Sequence, residues 1–383
     1  MAEDDRTIRA TIDGNSLELI EDGAARLEAI LGLIASARQS LRLLFYMFNS
    51  DSAGLAVRDA LVEAAARGVK VKILLDSFGC GRADPNFFKP LDEIGGQVCR
   101  FHPKYGRRYL LRNHQKLAIA DENLAIIGGA NIHESYLTDE GPEHWRDLWL
   151  SVQGDAVRPA AKYFDSLYRW TRRKGAKLRS LRRLIFRFTQ SRGALQWKFS
   201  GPVARSNPWP RAIAREIITG SRLDLISAYF SPPWAMLRRI RRLRSKARII
   251  TAAKSDNNAT IAAARYTYGG LLRRDVQMYE YQPARLHTKV AIIDDAVHIG
   301  SSNFDFRSLY INMEIMLRIE DAGFAAKMRA YFERELKDCQ RITPALHKKR
   351  STLLARLRWA VSYFLVTTMD YTVTRRLNFG VEK

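Results

Sequence analysis

The chain of 383 residues is long enough for two domains of ordinary size, and its 46% hydrophobic and 27% charged residues provide for a sizeable core and exclude wholesale disorder. Its three cysteines (Cys80, Cys99 and Cys339) are odd in number and show no CxxC spacing, which argues against a disulfide framework or a zinc site and fits a reducing compartment. The formal net charge of +23 indicates a polyanionic partner, either nucleic acid or an anionic membrane surface.

The first half of the chain alternates helix and strand signals. The N-terminal segment 1–15 is polar and acidic and resembles neither a secretory signal nor a membrane anchor, so we expect a cytoplasmic protein. Apolar residues at helical spacing and short apolar runs then predict the elements that follow. They are a helix over 24–40, a strand over 41–48, a helix over 53–68, strands over 69–77 and 97–103, and a β-hairpin of 116–121 and 123–129.

The same order of elements recurs from Pro208. The predicted elements are a helix over 209–221, a strand over 222–230, a helix over 234–246, a strand over 247–253, a helix over 258–274, a strand over 276–282, and a hairpin of 289–294 and 296–300. Strands alternating with helices predict the α/β class, with a sheet covered on both faces, and the repeat predicts two similar lobes that face each other. We therefore place a first lobe at 1–171, a basic linker at 172–207, a second lobe at 208–342 and a basic amphipathic C-terminal tail at 343–383.

Three basic runs concentrate the excess charge. Residues 172–187 hold eight Lys and Arg with no acid, residues 238–248 hold seven with no acid, and a third run opens the tail at His347. Each run on its own is compatible with a solvated helix face. Three runs of one sign favour a surface that attracts a polyanion.

Each predicted hairpin carries the same polar pattern. In both, a His and a Lys two residues apart open a strand and therefore project from one face, and an Asn follows the return strand close to the same end. Imidazole, ammonium and amide groups together suit a tetrahedral, doubly negative group. The first hairpin contributes His114, Lys116, Asp121, Gly128, Gly129 and Asn131, and the second contributes His287, Lys289, Asp294, Gly300, Ser301 and Asn303.

Exchange at a phosphodiester explains why the pattern occurs twice. The reaction needs a nucleophile on one side of phosphorus and an acid on the other, which protonates the leaving oxygen. One His attacks and becomes a phosphohistidine while the other donates and later recovers a proton, roles suited to an unperturbed pKa of about 6.5. Two Lys and two Asn stabilise the equatorial oxygens, so we expect neither a metal nor another cofactor.

The doubled motif H-x-K-x4-D with a following G-[GS]-x-N turn resembles the HKD signature of the phospholipase D superfamily, and the resemblance covers residues 24–340. The segments IGGANIHESYL and YFSPP, the latter at 229–233, are similar to bacterial cardiolipin synthases without N-terminal membrane helices. The resemblance implies two α/β/α-layered lobes related by a pseudo-twofold axis, with one active site between them.

The family resemblance also implies roles for further residues. An acid downstream of each motif hydrogen-bonds the catalytic His, and Asp147 and Glu314 match those positions. The family's convention makes His114 the nucleophile and His287 the general acid, although the near-symmetry of the motifs leaves that choice open. The motif residues Asp121 and Asp294 lie at the far end of the strand, and we assign them a structural role.

Two departures from the family pattern distinguish the halves. Gly129 stands where many members have Ser. The second hairpin has five residues between Asp294 and Gly300, whereas the first has six between Asp121 and Gly128. The tighter second hairpin bears on the position of Asn303.

Three functions remain open. The first is a phosphatidyltransferase of the cardiolipin synthase type, or a hydrolase if water rather than a lipid hydroxyl reaches the phosphohistidine. The second is a nuclease or nucleic-acid phosphodiesterase, which the positive charge permits but two complete motifs in one chain disfavour. The third is a non-catalytic binding protein, disfavoured by the intact His, Lys and Asn. The oligomeric state is not specified by the sequence.

The tail contains an apolar core of eleven residues from position 359 to 369, which is too short to span a bilayer. One interpretation places it in the membrane interface with Trp359, Tyr363 and Phe364 embedded and Arg356 and Arg358 snorkelling. The other packs it on the protein's own surface. The first predicts a peripheral protein on the inner face of the cell membrane, with anionic phospholipid as its substrate.

Overall fold

A computed structural model describes residues 7–81, 84–102, 111–141, 143–203 and 207–368. Within these residues the chain forms two eight-stranded mixed sheets with helices packed against them. The predicted α/β class with two similar lobes is confirmed.

The first lobe is built on one sheet with helices packed on both of its faces. Its strands are β1 (Arg9–Ile12), β2 (Asn15–Ile20), β3 (Ser40–Phe45), β4 (Lys70–Asp76), β5 (Gln97–Phe101), β6 (Leu117–Ala120), β7 (Leu124–Gly128), β8 (Trp145–Arg146) and β9 (Trp149–Gln153). Its helices are α1 (Gly23–Ser36), α2 (Ser52–Ala66), α3 (Lys89–Glu93) and α4 (Val157–Arg172), with a 3-10 turn at Glu134–Tyr136. The sheet order is β1-β2-β9-β7-β6-β3-β4-β5.

The second lobe repeats this plan. Its strands are β10 (Leu195–Ser200), β11 (Leu223–Ser227), β12 (Phe230–Ser231), β13 (Ala247–Ala252), β14 (Gln277–Tyr281), β15 (Arg285–Leu286), β16 (Lys289–Ile293), β17 (Ala296–Gly300), β18 (Phe304–Asp305), β19 (Glu314–Glu320) and β20 (Cys339–Ile342). Its helices, with α5 preceding β10, are α5 (Leu178–Phe188), α6 (Pro208–Thr219), α7 (Trp234–Ile240), α8 (Asn258–Leu272), α9 (Phe306–Tyr310) and α10 (Ala322–Lys337). The order β10-β19-β17-β16-β11-β13-β14-β20 matches the first sheet strand for strand from β2 to β5.

Alternating side chains on the strands separate the core into layers. In β3, Leu41 and Leu43 join the outer cluster under α1 and α2, while Leu44 joins a central cluster shared by both sheets. Phe164 of α4 and Phe332 of α10 belong to that same central cluster. The two lobes therefore share one core, and β7 and β17 approach each other across it.

Two segments depart from the sequence interpretation. The stretch 172–207, assigned as a basic linker, contains α5 and β10, and β10 pairs with β19 at the edge of the second sheet. The second lobe thus begins before Pro208. The sequence did not indicate this boundary, because the apolar residues of β10 follow closely after a basic helix. The polar N-terminal segment forms the β1–β2 hairpin through a turn at Asp13 and Gly14, whose φ angles are 47° and 73°. Residues 204–206 of the linker and 1–6 of the first lobe lie outside the described residues.

The tail forms α11 (Pro344–Arg350) and α12 (Leu353–Thr368), and α12 packs on α8. Trp359 is 5% exposed and stacks on His347 at 5.5 Å between ring centroids, so it packs on the protein's own surface. The Tyr363 hydroxyl donates to the Pro232 carbonyl at 3.0 Å. Phe364 is 64% exposed. Position 369 and those after it lie outside the described residues, and no helix that is described is long and apolar enough to cross a membrane.

Candidate active site

The first motif histidine is held between the two lobes. His114 lies three residues before Leu117, where β6 begins, and its backbone N–H donates to the Met313 carbonyl at 2.9 Å. Its Nδ1 lies 3.0 and 3.1 Å from the two carboxyl oxygens of Glu314. Because Nδ1 is engaged, Nε2 is the nitrogen available for chemistry.

The second motif histidine is held in the reciprocal way. The backbone N–H of His287 donates to the Arg146 carbonyl at 2.8 Å, next to a parallel pairing of β15 with β8. Its Nδ1 lies 2.5 Å from Oδ2 of Asp147. Both histidines therefore take their carboxylate from the opposite lobe, across 200 residues for His114–Glu314 and 140 for His287–Asp147.

The motif lysines are fully buried beside their histidines. Lys116 Nζ donates to the His114 carbonyl at 2.6 Å, and Lys289 Nζ donates to the His287 carbonyl. Burial and the charge on Lys289 lower the pKa of Lys116 to about 7, while Glu314 acts in the opposite direction. Burial also lowers the pKa of Lys289 to about 8. The charge of Lys289 acts on Lys116, and the cross-lobe pairs His114–Glu314 and His287–Asp147 bring the two motifs together between the lobes.

The motif asparagines are also buried, with different partners. Oδ1 of Asn131 accepts from the Met47 backbone N–H at 3.1 Å, which leaves its amide N–H groups for another acceptor. Asn303 is 2% exposed, and its Oδ1 has no hydrogen-bond partner among the described residues. Asn303 is thus as deeply buried as Asn131, but its Oδ1 lacks a counterpart of the Asn131 bond.

Burial controls the charge of the histidine pairs. It lowers the pKa of His287 to about 3, assisted by Lys289, and it lowers the pKa of His114 well below the usual value, assisted by Lys116. Both imidazoles are consequently neutral near pH 7 before an anion binds. Each then has an Nε2 directed away from its carboxylate partner.

The two carboxyl groups differ. Burial raises the pKa of Glu314 to about 8, opposed by Lys116. For Asp147 burial acts in the same direction, but Lys289 and His287 outweigh it, and the pKa is lowered. Asp147 therefore ionises more readily than Glu314.

Close packing at the end of each return strand explains why small residues occur there. A Cβ on Gly129 would lie 2.6 Å from both carboxyl oxygens of Asp147, so a side chain there would displace the partner of His287. In the second half Ser301 occupies the equivalent position, and its hydroxyl donates to Oε2 of Glu314 at 2.5 Å. Gly128 and Gly300 each lie against a neighbouring strand so closely that a Cβ would overlap its backbone.

The motif aspartates lie in turns that hold the hairpins to the rest of each sheet. Asp121, with φ of 50°, accepts from three consecutive backbone N–H groups, those of residues 38–40, at 2.7 to 2.8 Å. Asp294, with φ of 46°, accepts from the N–H groups of Ser221 and Arg222 at 3.0 Å. Among the described residues, no interaction joins either aspartate to His114 or His287, so we retain the structural role for both.

Several residues around His287 were not found from the sequence. The rings of Tyr136 and Trp145 stack on each other and lie 5.0 and 5.3 Å from the His287 ring. Arg26 is fully buried and donates to the carbonyls of Tyr136 and Asp147 at 3.0 and 2.5 Å. An arginine on the buried face of an amphipathic helix was the only available signal for this residue.

The corresponding ring beside His114 is Tyr46, 5.0 Å away between centroids. No group of three or more His, Cys, Asp or Glu residues in the part of the chain that the structure describes is arranged to hold a metal ion.

Comparison with known proteins places the chain in a family. Residues 30–168 and 215–336 match the family described as cardiolipin synthase, PLD-like domain. A cardiolipin synthase of Listeria welshimeri is 28% identical over 92% of this chain and 75% of its own length. A cardiolipin synthase A of Pseudomonas aeruginosa is 30% identical over 87% of this chain and 69% of its own.

Solved structures agree on the fold. The phosphatidylserine synthase of Haemophilus influenzae superposes with a TM-score of 0.72 at 14% identity, covering 92% of this chain and 95% of that one. The polyphosphate kinase of Porphyromonas gingivalis superposes with a TM-score of 0.55 at 15% identity, covering 88% of this chain and 49% of that one.

Proposed function

Because the chain belongs to the phospholipase D superfamily, in the family of cardiolipin synthase PLD-like domains, we propose that it is a phosphatidyltransferase that makes cardiolipin. It would transfer a phosphatidyl group from one phosphatidylglycerol to the headgroup hydroxyl of another. The observation that carries the proposal is the pair of cross-lobe dyads, His114–Glu314 and His287–Asp147, within one lysine-lined site.

The reaction proceeds in two displacements. In the first, Nε2 of one His bonds to phosphorus, the P–O bond to the leaving glycerol breaks, and the other His, as imidazolium, protonates that oxygen. In the second, this His takes the proton of the incoming hydroxyl, the new P–O bond forms and the P–N bond breaks. The proton that this His donates in the first displacement is recovered in the second, so no external acid is consumed.

The nucleophile in this proposal is His114 and the general acid is His287. The family's convention supports this order, and so does access, because the side chain of His114 is 14% exposed and that of His287 is 4% exposed. The acid needs a proton, and the phosphate anion of a bound lipid raises the pKa of His287 from the low value of the empty site. The ionised Asp147 stabilises the imidazolium.

The charged surroundings support a phosphodiester substrate. Lys116 and Lys289 supply ammonium groups, and Asn131 and Asn303 supply amides, for the oxygens on which negative charge develops. The same groups would hold any phosphodiester. The names of the relatives favour a lipid over a nucleic acid, and the enzyme would act peripherally at the inner face of the cell membrane.

A vesicle assay tests the function. Purified protein is added to phosphatidylglycerol vesicles, and the products are resolved by thin-layer chromatography. We expect cardiolipin and glycerol in equal amounts, with neither formed by His287→Ala. Phosphatidic acid and glycerol instead of cardiolipin would identify a hydrolase. Cleavage of DNA with inert lipid would overturn the proposal in favour of a nuclease.

A further inference from the structure

Helix α12 carries a row of apolar side chains on the face that turns away from the protein. Leu357, Val361 and Phe364 follow helical spacing and are 62%, 43% and 64% exposed. Leu353 and Leu354 extend the row to the start of the helix and are 87% and 77% exposed. We call these five residues the apolar stripe. A surface helix surrounded by water normally turns polar side chains outward, so the stripe indicates contact with an apolar phase or partner.

An aromatic patch adjoins the C-terminal half of the stripe. It consists of Trp234 at the start of α7, Tyr266 of α8 and Tyr363 of α12, whose ring centroids are 5.0 to 6.1 Å apart. Trp234 is 48% exposed and Tyr266 37% exposed. Amphipathic rings of this kind favour the boundary between water and the bilayer interior.

A cluster of arginines borders the aromatic patch. The Arg241 guanidinium carbon lies 5.9 Å from the Trp234 ring. Burial lowers the pKa of Arg241, and the positive charges of Arg273, Arg274 and Arg238 lower it in the same direction. Four like charges this close repel one another in water, and an anionic surface would relieve the repulsion.

Further basic residues lie around the stripe itself. Arg356 and Arg358 of α12 and Lys348 and Lys349 of α11 are all exposed. Nucleic acid would match these charges but not the leucines and phenylalanine between them. An anionic phospholipid surface matches both the charged and the apolar groups.

The aromatic patch is joined to the active site by a short segment. The Tyr229 ring lies 6.4 Å from the His287 ring, and three residues later the Pro232 carbonyl accepts from the Tyr363 hydroxyl of α12. Trp234 follows two residues after that. The helix that carries the stripe is thus anchored on the segment that borders the catalytic histidine.

We propose that the apolar stripe and the aromatic patch insert into the headgroup region of an anionic phospholipid bilayer, with the neighbouring arginines on lipid phosphates. This surface would hold the active site at the depth where a lipid's own phosphodiester lies. The inference rests on the proposed function for its purpose, but it is tested separately.

The test replaces three stripe residues in the full chain, as Leu354→Gln/Leu357→Gln/Phe364→Gln. The matched control replaces three exposed apolar residues elsewhere, as Leu55→Gln/Ile94→Gln/Ile218→Gln, whose side chains are 39%, 42% and 49% exposed. Co-sedimentation with vesicles of equal parts phosphatidylglycerol and phosphatidylcholine is compared with vesicles of phosphatidylcholine alone. Thermal unfolding of each variant reports whether the fold is kept.

We expect the stripe variant to bind anionic vesicles about tenfold more weakly or worse, while the control binds as the unchanged protein does. The melting temperatures should remain close together, because the replaced side chains are exposed. Equal vesicle binding by the stripe variant and the unchanged protein would overturn the inference, even if cardiolipin is still made. Self-association of the unchanged protein that the stripe variant abolishes, without vesicle binding, would also overturn it and identify a contact between copies. Vesicle binding that depends on the stripe, without lipid turnover, would support the inference and count against the proposed function.

Discussion

The two halves of the active site share a plan but differ in how each carboxyl group is held. Glu314 accepts a hydrogen bond from the Ser301 hydroxyl, and its two carboxyl oxygens lie 3.0 and 3.1 Å from Nδ1 of His114. Asp147 has Gly129 in the equivalent place and meets His287 through one oxygen at 2.5 Å. Equal motifs therefore do not imply equal protonation, since the pKa of one acid is raised and that of the other lowered. The difference suits two histidines with distinct tasks.

Replacing either histidine should have the largest effect. We expect His114→Ala and His287→Ala each to lower lipid turnover by roughly 10²–10⁴-fold, because each removes one end of the displacement. A diester with a p-nitrophenyl leaving group needs no proton, so with this substrate His287→Ala should still form the phosphohistidine and His114→Ala should not. Trapping of the labelled protein after an acid-free quench measures this. Label on His114→Ala alone would reverse the two roles.

The acids should respond unequally to removal of their charge. Asp147→Asn takes away an ionised partner of His287, and we expect a loss approaching about 10⁴-fold in kcat. Glu314→Gln should cost less, about tenfold near pH 7, because burial raises the pKa of Glu314 to about 8 and the substitution removes less negative charge than Asp147→Asn does. Steady-state kinetics on both variants provides the comparison. Equal losses would mean that the two acids share one protonation state.

Exchanging the small residues tests the steric part of the difference. Gly129→Ser places a Cβ 2.6 Å from the Asp147 oxygens, and a displaced dyad should lower kcat by about 10²-fold. The reverse change, Ser301→Gly, removes one hydrogen bond to Glu314 and should lower kcat by about fivefold. Thermal unfolding is the control for both. A fully active Gly129→Ser enzyme would show that Asp147 can move without harm.

Anion binding should weaken as the pH rises. A lysine is charged below its pKa, and burial lowers the pKa of Lys116 to about 7 and of Lys289 to about 8. Between pH 6 and pH 9 the empty site therefore loses positive charge, and the affinity for tungstate, a phosphate mimic, should fall by about tenfold for each charge lost. Titration calorimetry measures it. Lys116→Arg keeps its charge over this range and should flatten the decline.

Some of the site could be predicted from the sequence because it is encoded locally. The His–Lys spacing and the Asn after each return strand depend only on a hairpin, and the repeat of helices and strands predicted two lobes. The exchange of carboxylates between lobes depends on contacts 140 and 200 residues apart, which no local pattern records. Arg26 was missed for the same reason, since its partners Tyr136 and Asp147 are remote in the chain.

The boundary and the tail show a second limit. We interpreted the basic residues of α5 as a linker and so missed this helix and the start of the second sheet. Those charged residues form the solvent-exposed face of α5 and give no information about its buried face. In α12 both faces are apolar, so the sequence alone did not indicate which aromatic residues would pack inward. The structure buries Trp359 and exposes Phe364.

The reciprocal exchange of acids between lobes has a consequence during synthesis. When only the first half of the chain has emerged from the ribosome, His114 and Lys116 are present but Glu314 has not yet been translated. Neither His–carboxyl pair can form within one half, since each imidazole takes its carboxyl partner from the other half. The complete site is therefore assembled only after both lobes have been translated and have folded against each other.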